Sequence, residues 1–157
     1  MSKHTQSPLV LQPGEGRAID LGAFQVSVKA NGDVTNGMLS LIEADEPPGF
    51  GPPLHIPHDS GEAFYVLEGE YIIVLETREF RCPAGSFIFI PKGMPHGFRV
   101  GNVRSRKLNI YTPAGMVGYF DELSAALKTG NVEERNLAEI AGRYSMEVLG
   151  PVPEGYV

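Results

Sequence analysis

The chain has a single cysteine, Cys82, so an intrachain disulfide is impossible. A lone thiol beside Pro83 in an expected turn reads as an ordinary free side chain and fits a reducing compartment. Long apolar runs are also missing. No stretch approaches the roughly 20 residues that a membrane-crossing helix needs. The opening residues, MSKHTQSPLVLQPGEGR, contain no apolar core and no cleavage-site pattern of a secretory leader. Basic residues are the minority, 13 Lys and Arg against 19 Asp and Glu, and they form no stripe. That balance argues against a nucleic-acid partner, and the acidic surface mainly implies solubility. There is no internal repeat. These absences predict a soluble, cytoplasmic protein with neither a membrane nor a nucleic acid as partner.

What is present is turn chemistry. The 157 residues suit one domain with a sizeable core. The 19 glycines and 13 prolines punctuate many short apolar runs, which favours strands over most of the length. Leu9 to Leu11 reads as a short edge strand. Phe24, Val26 and Val28 alternate with polar residues, so that strand has one apolar face. Asn31-Gly32-Asp33 is a hairpin signal leading to a strand over Met38 to Ala44. The run from Glu46 to Pro53 is too rich in proline for regular structure. Further strands are expected at Ala63–Leu67, Tyr71–Glu76, Phe80–Cys82, Phe87–Ile90, Gly97–Val100 and Lys107–Tyr111. Phe87 to Ile90 is continuously apolar and reads as buried on both faces.

The pattern changes after Pro113. Val117, Phe120, Leu123, Ala126 and Leu127 recur at helical spacing, and Thr129-Gly130-Asn131 ends that helix. A second helix is expected over Val132–Tyr144, with Asn131 as its cap, followed by an extended piece at Met146–Leu149. The expectation is an all-β fold with two short C-terminal helices. Strands separated by turn signals roughly every 8–12 residues point to a sandwich or barrel. Residues 1–8 would be a loosely held N-terminus, 9–113 the β-barrel, and 114–157 a helical extension packing on it.

The chemistry concentrates in PPLHIPHDSGEAFYVLEGE, which holds His55, His58 and Glu62, and in GSFIFIPKGMPHGF, which holds His96. Three imidazoles and a carboxylate are a donor set for a divalent transition metal. Glu62 shares a strand face with Phe64 and Val66, where a carboxylate is costly unless a cation compensates it. His55 and position 57 would share a face, but position 57 is proline. His58 converges with His55 only if the backbone bulges around Pro57.

These two stretches resemble the cupin motifs, G-x5-H-x-H-x3,4-E-x6-G and G-x5-P-x-G-x2-H-x3-N. His55, Glu62 and Gly69 stand in register with the first, and Gly85, Pro91, Gly93 and His96 with the second. Three departures stand out: Gly51 lies four positions before His55, Pro57 takes the place of the second histidine, and Val100 takes that of the asparagine. The resemblance covers residues 10 to 115, and the tail is similar to that of small bacterial cupins labelled quercetin dioxygenase-like.

The resemblance implies a double-stranded β-helix, or jelly roll, that binds iron, manganese, nickel, copper, cobalt or zinc. The ligands it carries over are His55, Glu62 and His96, with His58 as a substitute fourth. It also implies a dioxygenase, an oxidoreductase acting on an aromatic or flavonol-like small molecule. Glu62 would be the proton acceptor, and Phe64, Val66, Phe98, Met38 and Tyr111 the wall. The alternative is a metal-free or non-redox cupin acting as a binding module, isomerase or cyclase, with Arg99, Arg104 and Arg106 assisting an acidic ligand. A homodimer is expected, because jelly-roll edge strands invite pairing and related small cupins are often dimers.

Overall fold

The computed structural model describes residues 6–150. His4 and the rest of residues 1–5, together with residues 151–157 of the expected extension, lie outside the described residues. The chain runs through β1 (Arg17–Asp20), β2 (Gln25–Ala30), α1 (Gly32–Thr35), β3 (Ser40–Glu46), β4 (His55–Pro57), β5 (Gly61–Glu68) and β6 (Glu70–Leu75). It continues through β7 (Arg78–Pro83), β8 (Phe87–Ile90), β9 (His96–Val100), β10 (Ser105–Thr112), α2 (Val117–Thr129), α3 (Glu134–Arg143) and β11 (Met146–Val148).

Two antiparallel sheets face each other as a jelly roll. One has the order β1-β2-β3-β10-β5-β8, the other β11-β4-β9-β6-β7. Alternation along the strands supplies the filling. Phe64, Val66, Tyr71, Ile73, Ile88, Ile90 and Val100 form one core cluster. A second cluster joins β1, β2 and β3 to the helices through residues such as Ile19, Val26, Ile42, Leu123 and Leu137. Each such large apolar side chain contributes about 1.5–3 kcal/mol on burial.

Three local expectations change within the strand region. Leu9 to Leu11 forms no strand and is exposed. At Asn31 the side chain accepts from the backbone N–H of Asp33 and Val34, at 3.1 and 3.2 Å. It thereby caps the single turn α1 rather than making a two-residue hairpin turn, although β2 and β3 still pair antiparallel. β8 is not buried on both faces. It is the edge of its sheet, and while Ile88 and Ile90 point into the core, Phe87 and Phe89 are 63% and 58% exposed. Among the described residues nothing covers that outer face.

The C-terminal helices form as their apolar spacing requires. Val117, Leu123 and Ala126 are buried on α2, which ends at Gly130 with a left-handed φ of 72°. Asn131 does not cap α3; its carbonyl accepts from the Asn136 side chain, and Glu133 is the cap. The consequence for the site is topological. α2 contacts α3, and α3 hands the chain to β11, which pairs with β4 in the register Val148↔His55 and Met146↔Pro57. The helices therefore return the chain to flank the strand that carries His55. Among the described residues, no helix is long and apolar enough to cross a membrane.

Candidate metal centre

His55, Glu62 and His96 come from three strands and meet inside the roll. His55 on β4 is the Cα partner of His96 on β9, and their ring centroids are 4.4 Å apart. Glu62 enters from β5, on the buried face it shares with Phe64 and Val66. His96 Nε2 lies 2.7 Å from Glu62 Oε2, and one donor atom from each of the three residues lies within 4.8 Å of the others. Glu62 and His96 are buried and His55 is half-buried.

The backbone sets the orientation of both rings. His55 Nδ1 donates to the Pro53 carbonyl at 3.2 Å, and His96 Nδ1 donates to the Met94 carbonyl at 3.1 Å. A carbonyl oxygen only accepts, so each Nδ1 carries the hydrogen and each Nε2 is left for the centre. Histidines that hold metals are oriented in this way. Two neutral imidazoles and one carboxylate form a donor set for a divalent transition metal with further positions open. The residues present fit such an ion.

The electrostatics describe the same place without a cation. Burial, then the positive charge of His96, pushes His55 down to about 4. Burial alone would raise Glu62, but the hydrogen bond and charge of His96, with help from His55 and Lys107, hold it below the usual carboxylate range. Burial alone would lower His96, but Glu62 reverses this and raises it. The result is an imidazolium–carboxylate pair beside a neutral His55. The proton on His96 Nε2 then stands where a cation would bind.

His58 does not join this group. The backbone N–H of His58 donates to the Ser145 carbonyl just beyond β4. Its Nε2 reaches outward to Glu147 Oε2 at 3.1 Å, with both side chains about half exposed. The bulge around Pro57 that would have turned His58 inward is absent, and Pro57 itself is buried against the cavity.

The cavity beside the centre is bordered by His55 and Glu62 and encloses about 80 Å³. That is far below the roughly 300–1,000 Å³ of pockets that take drug-sized ligands. Phe98 and Tyr111 line it, and α2 contributes Tyr119 and Phe120. Phe64 and Val66 lie in the core rather than on its wall. Met38 is 69% exposed, in the loop before β3, away from the cavity. Arg104 and Arg106 face outward to Asp45 and Glu43, at 2.6 and 3.0 Å, and Arg99 is exposed.

Sequence reasoning missed the polar floor. Lys107 and Glu46 are buried, and with Asn109 they line the same cavity. Lys107 Nζ is 3.0 Å from Glu46 Oε1 and donates to Asn109 Oδ1 at 2.8 Å. Asn109 Nδ2 donates to the Tyr111 hydroxyl at 3.3 Å, and Tyr111 pairs in register with Glu62. Burial, then the Glu62 charge, raises Tyr111 well above the usual phenol value. The signal was the alternation of Ser105, Lys107, Asn109 and Tyr111 on one face of β10. From sequence such a polar face reads as solvated.

Comparison with known proteins agrees with this geometry. The Cupin domain family model matches residues 43–108. Quercetin 2,3-dioxygenase of Bacillus subtilis (strain 168) is 30% identical over 112 residues, 71% of this chain. The chain spans only 33% of that relative's length. KdgF from Halomonas sp. superposes with a TM-score of 0.63 at 17% identity, covering 69% of this chain and 96% of that one. The polyketide cyclase RemF from Streptomyces resistomycificus superposes with a TM-score of 0.58 at 24% identity, covering 68% of this chain and 80% of that one. With seven positions of the two motifs in register, the jelly roll in place and three motif residues converging inside it, the chain belongs to the cupin superfamily.

Proposed function

We propose that the chain is a metal-dependent oxidoreductase of dioxygenase type, acting on a small aromatic or enol-bearing molecule that chelates the metal. The observation that carries this reading is the convergence of His55, Glu62 and His96 beside an otherwise largely apolar cavity. The dioxygenase named among its relatives supports the reaction class. The ion, one of iron, manganese, nickel, copper, cobalt or zinc, would supply Lewis acidity and a meeting point for substrate and dioxygen. Glu62 would help hold it and accept the proton of a substrate hydroxyl. Phe98 would wall the substrate from water, and Tyr111 would steady Glu62. The small cavity favours a single ring over a three-ring flavonol.

One observation favours a second, non-redox reading: the Glu62–His96 pair already places a proton beside the cavity. Such a pair can move protons in an isomerisation or cyclisation without a metal. Metal analysis of the untagged protein separates the two readings. Stoichiometric transition metal, lost in His96→Ala, together with oxygen uptake on a panel of catechols and flavonols, is the expected result. No metal after reconstitution would overturn the first reading. The same proposal includes a homodimer, supported by the uncovered Phe87 and Phe89, and a cytoplasmic setting, supported by the lone, buried Cys82.

A further inference from the structure

We propose that Lys107, held by Glu46 and Asn109, is a second subsite that binds an anionic oxygen of the substrate, a carboxylate or phenolate, across the cavity from His55, Glu62 and His96. The inference rests on the reading that those three residues hold a metal.

Desolvating an ammonium and a carboxylate costs several kcal/mol for each ion, and apolar residues of like volume often stabilise a core as well or better. Here the charged pair does not lie sealed beneath the core. It lines the cavity that Glu62 also lines. Lys107 still has donor capacity to spend. Two of its contacts are oxygens, on Glu46 and Asn109. Its other close neighbours are ring faces: Phe98 at 4.2 Å, Phe64 at 5.0 Å and Tyr71 at 5.3 Å. A ring face is a weaker partner for an N–H than a carboxylate is. Tyr71 also donates to Glu46 Oε1 at 2.9 Å, so both donors on that carboxylate meet at one oxygen.

Spacing and charge agree with this role. Lys107 and Tyr111 are four residues apart on one face of β10, about 13 Å of strand, and the lysine reaches back to Asn109. The Asn109 side chain and the Tyr111 hydroxyl therefore stand in one row between the ammonium and Glu62. With a divalent ion, two neutral imidazoles, Glu62, Glu46 and Lys107, the cavity carries one net positive charge. It is matched to a monoanion. The exposed Arg99 and the outward-paired Arg104 and Arg106 do not face the cavity, which leaves Lys107 as the cation lining it among the described residues.

The test uses zinc-loaded full chain, which avoids redox chemistry, and two probes: 3,4-dihydroxybenzoate and its neutral amide, 3,4-dihydroxybenzamide. The catechol end is common to both, and only the far end differs in charge. Calorimetric titration should show the acid binding tighter than the amide by about tenfold or more, the worth of one charge-assisted hydrogen bond. Lys107→Met alone would strand Glu46, so the informative variant is Lys107→Met with Glu46→Gln, which keeps the net charge of the cavity. It should hold zinc at the same stoichiometry and bind the acid no more tightly than the amide. Full preference in that variant, or none in the unmodified protein, would overturn the subsite and leave a structural ion pair only. If the protein takes up no metal, the proposed function fails separately. The subsite is then read on metal-free protein with benzoate and benzamide by the same criterion.

Discussion

Replacing Glu62 by Gln tests the electrostatics of the centre directly. The substitution keeps the shape and removes the charge. A Gln amide can donate to His96 Nε2, so the hydrogen bond at 2.7 Å survives in kind and the measurement reads the ion pair. Removing one partner of a buried pair costs about 3–5 kcal/mol, and the retained hydrogen bond places this case near about 3 kcal/mol. The cost depends on pH. Glu62 is held below its ordinary value, so its contribution is present above the usual carboxylate pKa and is lost as pH falls through the lowered one. His96 is raised, so its contribution is complete below about pH 6.5 and is lost as pH rises through the raised value. Both are in place between about pH 4.5 and 6.5. Urea unfolding in a chelator should therefore show the variant less stable by about 3 kcal/mol near pH 5.5, with the gap shrinking as pH rises through the raised His96 value. A gap that is independent of pH, or that widens as pH rises into the alkaline range, would refute the imidazolium–carboxylate assignment.

Other outcomes follow from the same geometry. His58→Ala should leave metal stoichiometry unchanged and cost less than about 1 kcal/mol, because its bond to Glu147 is half exposed; loss of metal in elemental analysis would contradict its outward placement. His55 is held neutral down to about 4, so between about pH 4 and 6.5 the unfolded chain binds the extra proton and stability rises with pH. That rise would be about 3 kcal/mol at full burial and less for this half-buried ring, and it should disappear from the urea titration in His55→Phe. Phe87→Lys with Phe89→Lys should convert a dimer to a monomer in sedimentation velocity while leaving the fold intact by circular dichroism; an unchanged sedimentation coefficient would remove β8 from the interface.

Periodicity and punctuation in the chain were enough to place most of the strands and both C-terminal helices. Glu62, Phe64 and Val66 share a buried face because side chains alternate on any strand. Gly69 takes a φ of 75° between β5 and β6, where an added Cβ would stand 2.1 Å from Ser105 Oγ, so a glycine in register there marks a real constraint. The departure at Pro57 was legible too, but the expected substitute, His58, turns outward to Glu147 instead of joining the other three residues.

The direction in which a face points was not legible. Alternation says which residues lie together, but not whether a second layer covers them. Phe87 and Phe89 read as core and are exposed because β8 became an edge whose outer face no described residue covers. Lys107 and Asn109 read as part of an ordinary strand and became, with Tyr111, a polar row inside the roll, because β10 is paired on both sides and its inner face meets the cavity. His58 was equally undetermined by local spacing. Its orientation depends on β11, which returns after two helices to pair with β4 and supplies Glu147 outside the barrel. Local sequence sets backbone preference and period, over distances of a few residues. Burial and charge compensation are set by whatever the fold stacks against each face, and that came from segments far away in the chain.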